Sequence, residues 1–153
     1  MKSIVVDTSF LVALVDQKDS LHRTARAVDQ SLPSEIVRVF PDIVVMEALS
    51  VLARRTEERK QKSRPFPEIL DNIRKIIPDE SITWLSPDIP LIYSKFIEML
   101  RQYEGRPNVN DCILARHLIQ SKIGFLLSFD SDFDALPQIV RISESKDFEN
   151  LIL

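Results

Sequence analysis

An α/β sandwich around a mostly parallel sheet is the fold class this sequence predicts, on three observations. Short apolar runs, Ile4–Val6 and Phe125–Leu127 among them, read as buried strands. Longer stretches of helical apolar spacing alternate with them along the chain. With 153 residues, no internal repeat and no low-complexity linker, one domain around one core is the economical organisation.

The elements follow in order. Residues 3–6 form a strand, and Phe10–Val15 the helix after it. Leu21–Leu32 is a second helix, stopped by Pro33, and Glu35–Phe40 alternates weakly as a strand. Pro41-Asp42 opens a long helix towards Arg59. Pro65 and Pro67 punctuate the chain before a helix over Glu68–Ile77. Ile82–Leu85 is a strand, and Pro87–Pro90 leads into the helix Leu91–Tyr103. Residues 105–108, Gly-Arg-Pro-Asn, make a loop before the helix Asp111–Gln120. Phe125–Ser128 and Val140–Ile142 close the set as strands.

Composition excludes several function classes. Hydrophobic residues at 44% and charged residues at 28% are ordinary for a globular protein. Two glycines are too few for a glycine-dependent phosphate loop. The single cysteine, Cys112, rules out an intramolecular disulfide and a multi-cysteine zinc site, which suits a reducing cytoplasm. No apolar run approaches the ~20 residues that span a bilayer. The N-terminus lacks the pattern of a signal peptide, so no membrane association is expected. A net charge of −3 argues against a globally basic nucleic-acid coat while leaving room for a local basic patch.

Four acids stand in apolar surroundings. Asp7 ends the first strand, where ligands of parallel α/β sheets bind, and is followed by Thr8 and Ser9. Capping the next helix would explain all three equally well. Glu47 is the only charge in IVVMEALSVLA, on the side of Ile43, Val44 and Val51. A carboxylate there needs a partner such as Arg54, a metal or a raised pKa. Asp111 shares a helical side with Leu114, Ala115 and Leu118, and Asn110 is a candidate cap that would leave it in the first turn. Asp130 follows the strand Phe125–Leu127 through Ser128 and Phe129, in a turn also containing Asp132 and Asp134. Crowded carboxylates repel, and hard divalent ions such as Mg2+ or Mn2+ resolve the repulsion. Such ions, especially in pairs, activate water for phosphodiester hydrolysis.

A strand ending in D-T-S, a mid-chain helical Glu, the helix start N-D-C-I-L-A and the turn L-L-S-F-D-S-D-F together resemble a PIN domain. Within that family the chain looks most like the VapC-type toxins of toxin–antitoxin pairs, and DSLHRTARA, with His22, is similar to their loop and second helix. The resemblance covers essentially the whole chain. It implies a three-layer α/β/α fold, Mg2+- or Mn2+-dependent ribonuclease activity on RNA, homodimers, and an antitoxin partner. By position, Asp7, Glu47, Asp111 and Asp130 match the catalytic, metal-binding acids, with Asp132 able to replace or join Asp130. Ser128 matches the usual hydroxyl before the last acid, and Thr8 or Ser9 would orient Asp7 or a metal-bound water. The implied reaction is in-line hydrolysis leaving a 5′-phosphate and a 3′-hydroxyl. The stretch 54–65 looks like an elaboration on compact members of the family.

Competing readings are a catalytically silent PIN scaffold, a PIN nuclease of housekeeping RNA processing, and a phosphotransferase of the haloacid dehalogenase kind. The last needs a second Asp where Ser9 stands. Residues 53–64 carry six basic side chains, Arg54, Arg55, Arg59, Lys60 and Lys62 among them. They form either a solvated helix end or a phosphate-steering patch. His22 and His117 raise metal-free acid–base cleavage, against which a mid-helix His117 counts. Cys112 reads as a small buried hydrophobe and Trp84 as core or interface. Tyr93, Phe96, Leu100 and Tyr103 follow helical spacing and read as core or dimer packing.

Overall fold

The computed structural model describes residues 2–59, 66–106 and 108–151. Five parallel strands form its sheet: β1 (Ser3–Val6), β2 (Val37–Pro41), β3 (Ile82–Thr83), β4 (Phe125–Leu127) and β5 (Val140–Ile142), in the order β3-β2-β1-β4-β5. β1 lies at the centre because both its faces are apolar: Ile4, Val5 and Val6 are buried.

Between the strands run α1 (Thr8–Val15), α2 (His22–Ser31), α3 (Asp42–Glu58), α4 (Phe66–Ile76), α5 (Ile89–Gln102) and α6 (Val109–Ser121). Right-handed crossovers dictate the layers. The chain steps from β1 to β2 to β3 in one direction, which puts α1–α4 on one face, where α1 touches α2, α3 and α4. It then returns to β4 on the far side of β1, which puts α5 and α6 on the other face. The expected three-layer α/β/α fold is the one found. β1 therefore sits where the strand order reverses, and the crevice beyond its carboxyl end is the place for a ligand.

One helix boundary moves, and for two apolar features the core alternative gives way, leaving the interface or dimer alternative. α1 begins at Thr8 because Asp7 caps it, accepting from the Ser9 amide at 3.2 Å. α5 does not bring the predicted aromatic stripe into the core. It buries Ile92 alone, leaving Phe96, Leu100 and Tyr103 half-covered and Tyr93 66% exposed. Trp84 is 72% exposed, so it belongs to no core. The reason is topological: α5 is held by α6 and lies outside the buried cluster around the sheet. Among the described residues, no helix is long and apolar enough to cross a membrane.

Candidate active site

Asp7 reaches the crevice because β1 pairs with β4, Val5 against Leu126 and Val6 against Leu127, and the Asp7 amide donates to the Leu127 carbonyl at 2.9 Å. That register places Ser128 beside Asp7. Both serine hydroxyls, Ser9 at 2.7 Å and Ser128 at 2.8 Å, donate to Asp7 Oδ2, with the Ser9 amide as a third donor. The Asp7 side chain therefore caps α1 and belongs to the crevice at once. The Thr8 amide also favours the charged carboxyl, while Oδ1 takes none of these three donors and is not sealed from solvent. The Ser9 hydroxyl accepts from the Phe129 amide and the Ser128 hydroxyl from the Asp130 amide, each at 3.0 Å. Phe129 also stacks on Phe10, centroids 5.4 Å apart, which anchors the turn carrying Asp130.

The other three acids repeat the pattern of one oxygen held by a neutral donor. Glu47, on α3, takes the Thr8 hydroxyl on Oε2 at 2.9 Å. Asp111, on α6, takes the Asn108 amide on Oδ2 at 2.7 Å, while Asn108 Oδ1 receives the Asp111 amide at 3.0 Å. Asp130 takes the Asp132 amide on Oδ1 at 2.9 Å. All four line one cleft of about 270 Å3, room for several waters beside an ion. None of the four is in an ion pair among the described residues. Arg54, the candidate partner for Glu47, faces Glu58 instead.

Burial separates the four. Asp7 is buried at 6% exposure, whereas Glu47, Asp111 and Asp130 are only partly covered, so of the four acids the expectation of burial holds for Asp7 alone. Burial pushes the Asp7 carboxyl up, against the pull of its hydroxyl and amide donors. Asp111 is pushed up to about 6, first by burial and against its capping bond, with the charges of Asp7, Asp130 and Glu47 adding. The acids feel one another across the cleft. No histidine or cysteine lines it, so the donor chemistry suits a hard, oxygen-preferring ion. No three of the described His, Cys, Asp or Glu side chains form a ready-made ligand set, which leaves water to complete any coordination.

Other predicted residues fall elsewhere. Asp132 lies outside this cleft, in an adjoining hollow with Tyr103, Arg106 and Asp111. The cap of α6 is Asn108, not Asn110, because Asn108 has the extended backbone that precedes a helix and Asn110 is already inside the first turn. Arg55 and Arg59 are tied to Asp16, and Arg55 also to Asp19, so they do not form a free basic patch. Lys60 and Lys62 lie outside the described residues. His22 binds the Ala13 carbonyl at 2.8 Å, and His117 is on α6 with a buried, unpartnered Nε2, away from the cleft. Cys112 is buried as expected. Sequence reading passed over Asp16, Asp19 and buried Asp42. Asp42 accepts from the Ile43 and Leu85 amides and ties α3 to the segment after β3. Their partners lie 36 to 43 residues away, beyond any local signal.

The PIN domain family model matches residues 4–139. No curated protein matches the chain. Among solved structures, VapC20 of Mycobacterium tuberculosis, described as a sarcin–ricin loop cleaving toxin, is 22% identical with a TM-score of 0.68, over 91% of this chain and 98% of that one. VapBC2 from Rickettsia felis, bound to a DNA fragment from its promoter, is 14% identical with a TM-score of 0.64, over 92% and 97%. These two likenesses concern the fold. The family match spans most of the chain, over the same strands and acids that build the cleft, and on that ground the chain belongs to the PIN domain family.

Proposed function

We propose that the protein is a divalent-metal-dependent ribonuclease acting as the toxin of a toxin–antitoxin pair. One observation carries the nuclease reading: four carboxylates line a single cleft, each with one oxygen held by a neutral donor and none in an ion pair among the described residues. Ser9 and Ser128 orient Asp7, Thr8 orients Glu47, and the capping box orients Asp111. Asp7, Asp111 and Asp130 would hold Mg2+ or Mn2+, with Glu47 joining directly or through water. When bound, the ion supplies a polarised water and charge stabilisation at phosphorus and the leaving oxygen. Asp132 serves the adjoining hollow rather than the ion.

The fold shared with VapC20, a sarcin–ricin loop cleaving toxin, and with VapBC2 supports the toxin assignment, RNA as substrate and an antitoxin partner; the reading also includes a homodimer in the cytoplasm. Retention of all four acids weighs against a silent scaffold.

The test is cleavage of a panel of structured RNAs, a sarcin–ricin stem-loop included, with Mg2+, Mn2+ or chelator. Wild type should cleave only with metal and leave 5′-phosphate ends. Asp7→Asn should lose at least about 100-fold in rate, the scale of removing a key electrostatic group. Chelator-resistant cleavage or an undiminished Asp7→Asn variant overturns the reading.

A further inference from the structure

Among the described residues, the acid cleft is lined by five carboxylates, Asp19 joining the four already named, and by one cation, Arg55. A polyanionic strand entering such a cleft meets repulsion that must be offset close by. Arg55 is built for one particular edge to do it. Its Nη1 is held between Asp16 Oδ2 at 3.0 Å and Asp19 Oδ2 at 2.6 Å. Those aspartates are fixed in turn: Asp16 Oδ1 accepts from the Lys18 amide at 3.1 Å, Asp19 Oδ1 from the Leu21 amide at 2.8 Å, and Asp16 also pairs with Arg59. Nε and Nη2 of Arg55 make no hydrogen bond among the described residues and are not sealed from solvent. They form the side-on edge of the guanidinium, the fork that matches two phosphate oxygens.

We infer that Arg55 is a substrate-binding residue whose side-on edge grips a backbone phosphate of the RNA beside the scissile one, while Asp16 and Asp19 hold its other edge. The inference deepens the nuclease reading and rests on it. The tether makes the grip specific, because a clamped guanidinium presents a pre-oriented fork and loses little freedom on binding. Within that group two arginines balance two aspartates, so what Arg55 brings to a strand is a directed fork and the position it fixes.

The experiment uses the full chain in two backgrounds. In the Asp7→Asn background, binding of a fluorescent RNA is measured by anisotropy across a salt series, for Arg55 and for Arg55→Lys. Lysine keeps a cation for Asp16 and Asp19 but has no fork. Affinity should fall about tenfold for Arg55→Lys with little change in the slope of log affinity against log salt, whereas Arg55→Gln should also shrink that slope by about 1. In the active background, Arg55→Lys should lower kcat/KM chiefly through KM. Arg55→Gln serves should the lysine variant fold poorly and is expected to lose at least as much, with Arg74→Gln on α4 as an unaffected control. Wild-type affinity and KM in both Arg55 variants overturn the inference, as does a loss confined to kcat. RNA binding that depends on Arg55, with no cleavage by wild type under any metal, overturns the nuclease reading alone. No RNA binding by the parent overturns both.

Discussion

Asp7 carries two duties on two oxygens. Oδ2 closes the N-terminus of α1 and receives two hydroxyls, while Oδ1 stays open to the cleft. That arrangement has a cost at neutral pH, since a buried carboxylate with no cation beside it disfavours its charged form. Its folded pKa is raised, so the associated stability is complete below the ordinary value of 3.8 and is lost as pH rises through the folded value. Asp111 behaves alike, its contribution falling away as pH rises from 3.8 through about 6. His117, pushed down by burial, runs the other way: its stability is present above 6.5 and lost as pH falls. Comparing one variant with wild type cancels that contribution. Metal-free Asp7→Asn is expected to melt about 2–4 °C above wild type near pH 8, the response to roughly 1 kcal/mol in a domain of this size, with a smaller gain near pH 5. A gain that does not grow with pH, followed by calorimetry, would show that Asp7 is not strained by its charge. At this scale the sequence was legible in part. Asp7, Glu47, Asp111 and Asp130 stood out because charge in an apolar run is conspicuous. That Ser9 and Ser128 would share Asp7 Oδ2 was invisible, because it depends on strand register across 121 residues.

Helix ends show what local chemistry can and cannot specify. α6 opens on a capping box between Asn108 and Asp111, so one side chain both starts the helix and faces the cleft. It ends on Lys122 in a left-handed conformation, φ 55°, where a side chain is strained and glycine is the common choice. Lys122→Gly should therefore stabilise the protein by about 0.5–1 kcal/mol, read as a rise in the urea midpoint with unchanged slope. A lower midpoint would mean that the lysine side chain contributes packing that offsets its backbone strain. The strands and helices themselves were largely readable, since apolar runs and proline punctuation mark them to within a few residues. α5 was the exception. Its Tyr93, Phe96, Leu100 and Tyr103 have the spacing of a buried face, but periodicity reports only that a face is apolar, not that the fold brings anything to cover it.

At the scale of the whole molecule, the exposed part of that helix bears on the proposed homodimer. Ile89, Tyr93 and Ile97 recur four residues apart on α5, all exposed, with Trp84 close before them in sequence, so a second copy docked there would support the proposed homodimer. Light scattering of the wild type should give twice the mass of the chain, and Tyr93→Glu should shift it towards monomer; a dimer indifferent to that change uses another surface. Fold class followed from alternation alone, whereas the Arg55 network and the Asp42 tether required the folded topology. The pairing of β1 with β4 has a further consequence, one of timing. Asp7 is synthesised 121 residues before Ser128, the hydroxyl that shares its carboxyl oxygen. Until β4 emerges, a nascent chain carries the centre of its sheet with one edge unfilled and its acid cleft unfinished. The cleft closes only when β4 docks against β1, so its acids cannot act together before that strand has been made.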